Sequence, residues 1–211
     1  MEHAYEDPRA FTAEMERDIY DDRAIHSLLI HRASGLIAGT VRTIRPDAKH
    51  PIGSLPIDSL CTEPTLFDAA TLPRGTLGEI SRFAISKDFR RRADDAPTPT
   101  GVGPHWSERQ PNQPEQRRIP HLSLGLLQAM VCSSARHGIT HWVAEMEPSL
   151  IRMLAMLGMH WQKLGPVIEF HGKRQPCYTI IDQMLERMLV ERPEVWQVFT
   201  NGGACGPTKA A

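Results

Sequence analysis

Two charged residues interrupt a stretch that otherwise has the pattern of a buried β-strand, and they are the first candidates for chemistry. The stretch "GEISRFAISKDFRRR" (78–92) carries Glu79 and Arg82 among apolar residues. A charge within a sheet costs free energy unless it is paired or used. Positions three apart in a regular strand face opposite sides, so only a bulged strand brings both residues into one site. Bulges are frequent beside active sites, and we expect one here; an ion pair at a sheet edge is the alternative.

Composition narrows the class of protein. The 211 residues suit a single domain, and 41% hydrophobic with 23% charged residues is typical of a globular protein. A net charge of −1 gives no general case for binding nucleic acid or a membrane surface. No apolar run approaches the roughly 20 residues that span a bilayer. We therefore expect no nucleic-acid partner and no transmembrane segment.

The cysteines and histidines do not form a recognisable metal or redox motif. No C-x-x-C pair occurs among the four cysteines, which are Cys61, Cys132, Cys177 and Cys205. The acidic N-terminus "MEHAYEDPRAF" also lacks the layout of a secretion signal. These features predict a reduced, cytoplasmic protein. His137 and His141 are separated by Gly138, which favours a helix end between them, so we expect no metal site.

Apolar periodicity and turn residues predict the order of the elements. Residues 25–32 and 36–44 form a hairpin around "ASG", and 76–86 form the next strand. Pro120 and Gly138 bound a long helix, which "THWVAEME" follows as a strand. The chain continues with the helix "PSLIRMLAMLG", the strand "QPCYTII" and a helical segment broken before Pro193, while "SLCTEPTLFDAATL" is ambiguous. This order predicts a mixed α/β (α+β) fold with a mainly antiparallel central sheet flanked by helices.

Composition also divides the chain. Residues 1–24 are an acidic N-terminal segment, and 25–183 form the core. Residues 87–118 hold five of the 17 prolines and seven basic residues, and are predicted to be an insertion in that core. Residues 184–211 are predicted to be a C-terminal helical segment and a flexible tail.

Three stretches carry a resemblance to a known family. They are "ERDIYDD" (16–22), "GTVRTI" (39–44) and "EISRFAIS" (79–86), in that order. Together with the order of elements they resemble the GNAT acyltransferase core, and in particular the autoinducer (acyl-homoserine-lactone) synthases and the N-acyl amino acid synthases. The stretch "LLIHRASGLIAGTVRTIRP" is most similar to acyltransferases associated with PEP-CTERM/exosortase systems. The resemblance implies that the strands near 79–86 and 140–146 are adjacent, roughly parallel and splayed at one end.

The resemblance also implies roles for single residues. Glu79 would be the base that assists the acceptor amine, and Arg82 the arginine that ties the site together. Asp18 and Asp21 would bind the acceptor, Arg42 would be a structural or acyl-side arginine, and Phe83 would line the acyl channel. We also expect the bulge to leave a backbone N–H for the thioester oxygen.

The sequence departs from the family in its N-terminal region and in the residues that concern the acyl donor. Family members have a helical region before the acidic motif that closes over the substrates; here about fifteen residues precede it, so a truncated lid is expected. The second helix reads "RMLAML" where acetyl-CoA-dependent GNAT enzymes hold a general-acid tyrosine. We therefore expect no bound cofactor and favour the acyl-phosphopantetheine of an acyl carrier protein over acyl-CoA as donor. The basic residues expected to meet the acidic carrier are Arg90, Arg91, Arg92, Arg117 and Arg118.

The sequence leaves two classes of function open. The first is an N-acyltransferase that joins a fatty acyl chain to an amino acid or a related amine. The second is a non-catalytic GNAT-fold module that binds acyl chains or a carrier protein. A nucleic-acid-binding arginine patch is a distant third, because aromatic residues do not alternate with the arginines.

Overall fold

The structure is a computed structural model that describes residues 16–89 and 121–206. Its strands are β1 (Ala24–Ile30), β2 (Ile37–Ile44), β3 (Leu77–Ile85), β4 (His141–Met146), β5 (Gln162–Lys163), β6 (Ile168–Glu169) and β7 (Lys173–Ile180). Its α-helices are α1 (Ile57–Leu60), α2 (Pro64–Phe67), α3 (His121–His137), α4 (Pro148–Met156), α5 (Ile181–Glu191) and α6 (Pro193–Phe199). The ambiguous stretch after residue 58 therefore contains short helices.

The strands form one seven-stranded sheet in the order β1-β2-β3-β4-β7-β5, with β6 also paired to β7. Every pair is antiparallel except β3 and β4, which run parallel. The expected mixed, mainly antiparallel sheet is confirmed, and so is the parallel neighbourhood of the strands near 79–86 and 140–146.

Local sequence signals account for the bounds of the principal elements. Gly35 adopts φ +71° between β1 and β2, a left-handed conformation that glycine takes without strain. Gly138 adopts φ +66° directly after α3, as a C-terminal stop requires. Pro148 occupies the first turn of α4, where its missing N–H costs nothing. The predicted hairpin and both predicted helices are confirmed.

Two apolar layers cover the two faces of the sheet. Trp142 and Ala144 of β4 belong to a cluster that includes apolar residues of α3, α4, α5 and α6. Val143 lies between them in the strand and faces the opposite side, where it joins a second cluster. That second cluster is built largely from the segment between β2 and β3, including Leu55 and Leu66. The long helices therefore pack on one face, and the segment with α1 and α2 packs on the other.

A disulfide corrects one expectation from the sequence. Cys132 in α3 and Cys205 after α6 are joined, with their Cα atoms 4.9 Å apart. The expectation of a fully reduced chain is wrong for this pair, while Cys61 and Cys177 are free and buried. The sequence separation of 73 residues hides the pairing, because only the packing of the C-terminal helices beside α3 brings the two sulfur atoms together. The cytoplasmic location stays a prediction.

Parts of the predicted organisation lie outside the described residues. These are residues 1–15 of the acidic segment, residues 90–118 of the insertion and residues 207–211 of the tail. Within the part of the chain that the structure describes, no helix has the length and apolar character needed to cross a bilayer.

Candidate active site

A cavity of ≈ 250 Å³ opens where β3 and β4 part. The two strands pair from Leu77 and His141 as far as Glu79 and Val143. Beyond that point both strands continue, and residues of both line the cavity. The expected splay is therefore confirmed, and it creates a space that reaches from the acidic segment to the apolar helices.

β3 carries the predicted bulge beside this cavity. In the β2–β3 register Thr40 faces Ala84 and Arg42 faces Ser81, so Arg82 and Phe83 together oppose a single residue of β2. Arg82 has φ +49°, which is an uncommon and strained conformation for a residue with a side chain. The bulge changes the direction of the strand so that Glu79, Arg82 and Phe83 all line one cavity.

Two arginines bind the acidic segment to the sheet. The Arg42 Nη1 donates to Asp18 Oδ1 at 2.8 Å and to Asp21 Oδ1 at 2.7 Å, while its Nε donates to Ser81 Oγ at 2.9 Å. The Arg82 Nη2 donates to Asp18 Oδ2 at 3.1 Å and its Nη1 to Asp21 Oδ1 at 3.0 Å. Both guanidiniums thus share the same two carboxylates, and these charge-assisted bonds fix the segment at the mouth of the cavity.

Asp21 accepts hydrogen bonds from both arginines, Arg42 and Arg82. Burial raises the pKa of Asp21, but the N–H of Asp18, the hydrogen bond from Arg42 and the charge of Arg82 outweigh it and lower the pKa to about 2. Asp18 and Glu16 line the cavity, whereas Asp21 does not appear among its described lining residues. The oxygens of Asp18 and Asp21 are occupied by bonds from the protein, which favours a clamping role; binding of the acceptor amine by these residues stays a prediction.

Glu79 lies on the cavity wall and is only 1% exposed. Its Oε2 accepts a hydrogen bond of 3.0 Å from the backbone N–H of Ile57, at the start of α1. Burial and the charge of Glu145 raise the pKa of Glu79 well above its usual range, against the opposing effects of the Ile57 N–H and Arg42. A buried carboxylate on a cavity wall with a raised pKa is a candidate functional group.

The structure does not show the alternative reading, in which Glu79 and Arg82 form an ion pair. Among the described residues no ion pair joins Glu79 to Arg82, whose Nε instead donates to Glu16 Oε1 at 3.0 Å. The bulge places Arg82 beside the acidic segment, while Glu79 is held by the backbone N–H of Ile57. The two residues share the cavity without sharing a bond.

Sequence reasoning missed a second carboxylate in the cavity, that of Glu145 on β4. Its Oε1 is enclosed and has no hydrogen-bond partner within the described parts of the chain. Burial raises the pKa of Glu145 to about 7, although its own backbone N–H and the charge of Arg174 act in the opposite direction. The signal was present in "THWVAEME", where an acidic residue interrupts a buried strand just as Glu79 does.

Another part of the cavity is lined by apolar side chains. Phe83 lies on its wall, as the sequence predicts, beside the described side chains of Leu127, Met130, Leu150, Leu154 and Trp161. Most of these residues come from α3 and α4 and belong to the main apolar cluster. An acyl chain entering this part of the cavity would exchange water for hydrocarbon contacts.

A further ion pair joins two residues that line the cavity, where Arg174 Nη1 donates to Glu147 Oε1 at 2.9 Å. The structure places no group of three or more metal-binding side chains together within residues 16–89 and 121–206.

The arginines predicted to meet a carrier protein lie outside the described residues.

Both the sequence and the fold are similar to those of known proteins. Residues 1–96 match the sequence family described as "Acetyltransferase (GNAT) domain". No curated protein matches the chain significantly.

Several solved structures share the fold at low sequence identity. TofI in an apo form is 23% identical, with a TM-score of 0.51 over 86% of this chain and 82% of TofI. FeeM, described as an N-acyl amino acid synthase from uncultured soil microbes, is 14% identical, with a TM-score of 0.53 over 81% of this chain and 74% of FeeM. BjaI with MTA, described as a CoA-dependent acyl-homoserine lactone synthase, is 17% identical, with a TM-score of 0.54 over 94% of this chain and 72% of BjaI. The likeness to these structures shows the fold, a mixed α/β fold with a mostly antiparallel seven-stranded sheet flanked by helices, and residues 1–96 match the GNAT domain family.

Proposed function

We propose that the protein is an N-acyltransferase that moves a fatty acyl chain from a thioester to the amine of an amino acid or a related acceptor. The observation that carries this proposal is a single cavity in which the buried carboxylate of Glu79 adjoins an apolar chamber. Amide formation needs both parts, a proton acceptor for the amine and a site for the acyl chain. Of the structures that share the fold, FeeM is described as an N-acyl amino acid synthase and BjaI as a CoA-dependent acyl-homoserine lactone synthase.

The proposed chemistry begins with the acceptor amine. An α-amino group has a pKa near 8, so most of it is protonated at neutral pH and cannot attack a carbonyl. A carboxylate that removes a proton as the N–C bond forms therefore accelerates the reaction. Glu79 is our choice for this base, because it lines the cavity at the point where β3 and β4 part.

The splayed strands would receive the rest of the thioester. Donor pantetheine amides could pair with β4 in place of the missing neighbour strand. At the bulge, a backbone N–H is proposed to hydrogen-bond the thioester oxygen and stabilise the oxyanion. Arg42 and Arg82 would keep the acidic segment closed at the acceptor side through their shared bonds to Asp18 and Asp21.

We favour the phosphopantetheine of an acyl carrier protein as the donor, with acyl-CoA as the less favoured source. The support is the arginine-rich segment, in which Arg90, Arg91, Arg92, Arg117 and Arg118 could meet an acidic carrier. Reversing these charges should weaken use of the acyl carrier and reduce its salt sensitivity. Turnover of a short pantetheine thioester should hardly change, whereas an equal loss with both donors would mean that the segment supports the fold or the chemistry.

The proposed product is an N-acyl amino acid rather than a lactone. This preference rests on the stretch "LLIHRASGLIAGTVRTIRP", which is most similar to the acyltransferases associated with PEP-CTERM/exosortase systems. That association is part of the proposal.

Mass spectrometry of lipids from cells that express the chain tests the function directly. A new N-acylated amino acid, absent from cells that express the Glu79→Gln variant, would identify donor chain and acceptor together. If the purified protein binds acyl carriers or acyl chains but forms no amide with any acceptor, the chain is a binding module and the proposal is wrong.

A further inference from the structure

Glu145 occupies a specific position relative to Glu79. Glu79 is the last β3 residue paired with β4, and its partner is Val143. Since alternate strand residues face one side, Glu145 lies on the same face as Val143, about 6.6 Å further along the strand. Glu145 is therefore the first residue of that face beyond the point where the two strands part, and both carboxylates line the same cavity.

The environment of Glu145 leaves one carboxylate oxygen for a ligand or a proton. The Oε1 is enclosed and without a partner among the residues that the structure describes. An enclosed acceptor without a partner costs free energy, so such a group in a cavity calls for an explanation.

Burial favours the protonated form of both carboxylates. Burial raises the pKa of Glu145 to about 7, and the charge of Glu145 in turn raises the pKa of Glu79. The charged and titratable groups that act on the pair or line the same space are Glu16, Asp18, Tyr20, Arg42, Asp58, Arg82, Glu147, His171, Arg174 and Cys177. Two carboxylates in one enclosed site do not both ionise readily, and the hydrogen bond from the Ile57 N–H and the charge of Arg42 favour Glu79 as the ionised member of the pair.

Amide formation from a thioester needs a proton in a second place. The departing thiolate must be protonated if it is to leave as a thiol. The second helix offers no tyrosine for this task, since α4 reads "PSLIRMLAM". A carboxylic acid beside the splay is in position to supply the proton instead.

We propose that Glu145 is a second catalytic carboxylate that donates a proton to the leaving thiolate while Glu79 accepts one from the attacking amine, an inference that rests on the proposed N-acyltransferase function. The acceptor ammonium first loses one proton to Glu79, which releases it to solvent. Its nitrogen then forms the N–C bond and passes a proton to Glu79, while the C–S bond breaks and the sulfur keeps the electron pair and takes the proton of Glu145. Transfer of a proton from Glu79 to Glu145 restores the pair, so one proton is released per amide formed.

The leaving group provides the test. The Glu145→Gln variant should slow turnover of an alkyl (pantetheine) thioester about 10²-fold or more, as expected for loss of general acid catalysis. With an aryl thioester of the same acyl chain the loss should shrink to a few-fold, because an aryl thiolate leaves without a proton. Glu79→Gln should lose activity with both donors, since the amine must be deprotonated in either case. Glu186→Gln, an exposed change on α5, is the matched control and should leave turnover unchanged.

Three outcomes separate the hypotheses. If wild-type protein forms no amide from any donor, the proposed function fails and this inference fails with it. If wild-type protein is active but Glu145→Gln loses activity equally with both donors, or loses none, only the proton-donor role is wrong. Carboxyl ¹³C NMR adds a readout that does not depend on activity: Glu145→Gln should lower the pKa of Glu79, and an unchanged Glu79 titration would overturn the pair.

Discussion

At the scale of single residues, a buried guanidinium organises the mouth of the cavity. Arg42 is 4% exposed, so its charge depends on protein partners rather than on water. Its Nη1 bonds to Asp18 and Asp21 tie the acidic segment to β2, and its Nε bond to Ser81 ties β2 to β3. Removing the carboxylate of Asp18 or Asp21 would leave the buried Arg42 charge without full compensation, which destabilises the folded state.

Asp21→Asn should therefore destabilise the fold by about 3 kcal/mol at neutral pH, as expected when one partner of a buried ion pair is removed. The pKa of Asp21 is lowered to about 2, against about 3.9 in an unfolded chain. Its stabilising contribution is thus complete above pH 4 and is lost as the pH falls towards 2. Chemical denaturation across this range measures the effect.

Asp22→Asn is the control, because the Asp22 side chain is 82% exposed and pairs only with the exposed Arg17 among the described residues. It should change the free energy of unfolding by less than about 0.5 kcal/mol. Equal losses for both variants would contradict the anchoring role of Asp21.

Glu79→Gln should keep the fold and lower amide formation by about 10²–10⁴-fold, the range typical of lost general-base catalysis. Glutamine can still accept the Ile57 N–H bond, so thermal stability should hold. Raising the pH should recover part of the rate, because more of the amine is then neutral. Normal turnover with lowered stability would show that Glu79 serves the structure rather than the reaction.

At the scale of elements, the close approach of β2 and β3 maintains the bulge. Gly39 of β2 leaves no room for a side chain, since a Cβ there would lie 2.9 Å from the Ala84 carbonyl oxygen. That oxygen belongs to the backbone directly after the bulged residues. The bulge and the strand beside it are therefore positioned by the absence of a side chain on the neighbouring strand.

Gly39→Ala should push β3 away from β2, lowering stability by about 1–3 kcal/mol and reducing turnover through the displaced bulge. Gly75→Ala is the matched control, because a Cβ at Gly75 meets nothing within 4 Å. Thermal unfolding and initial rates of both variants decide the matter. A tolerated Gly39→Ala would mean that the two strands can separate without cost.

The elements were also the part of the molecule most accessible from sequence. The hairpin, β3, α3 and α4 follow from apolar periodicity and from Pro and Gly at their ends, which are local signals. The bulge was predictable because two charges stood at incompatible positions in one strand. The bond of Glu79 to Ile57 was not, since it depends on where the loop before β3 packs.

Glu145 shows the same limit. Its sequence context marks it as unusual, but only the register of β4 against β3 places it beside Glu79. Interactions set by long-range packing, including the cross-link between Cys132 and Cys205, leave no local pattern to detect.

At the scale of the whole molecule, the Cys132–Cys205 cross-link fastens the C-terminal end to the helix beside the cavity. Replacing both cysteines with serine should lower stability by about 2–4 kcal/mol, as for loss of a native disulfide that closes a long loop. Unfolding of the variant and of the wild type with and without reductant measures this loss. Alkylation of the unfolded, unreduced protein should modify only Cys61 and Cys177; modification of all four would contradict the cross-link.

The divergence of β3 and β4 interrupts the hydrogen-bond ladder between these two strands. Where the strands diverge, β4 residues from Ala144 onward have β7 on one side but no register partner in β3 among the described residues. A ligand that carries amide groups can complete the ladder there, so the donor would act as a temporary strand. Amide hydrogen exchange at this edge should then slow when a thioester analogue binds, and occupancy could be followed without any turnover at all.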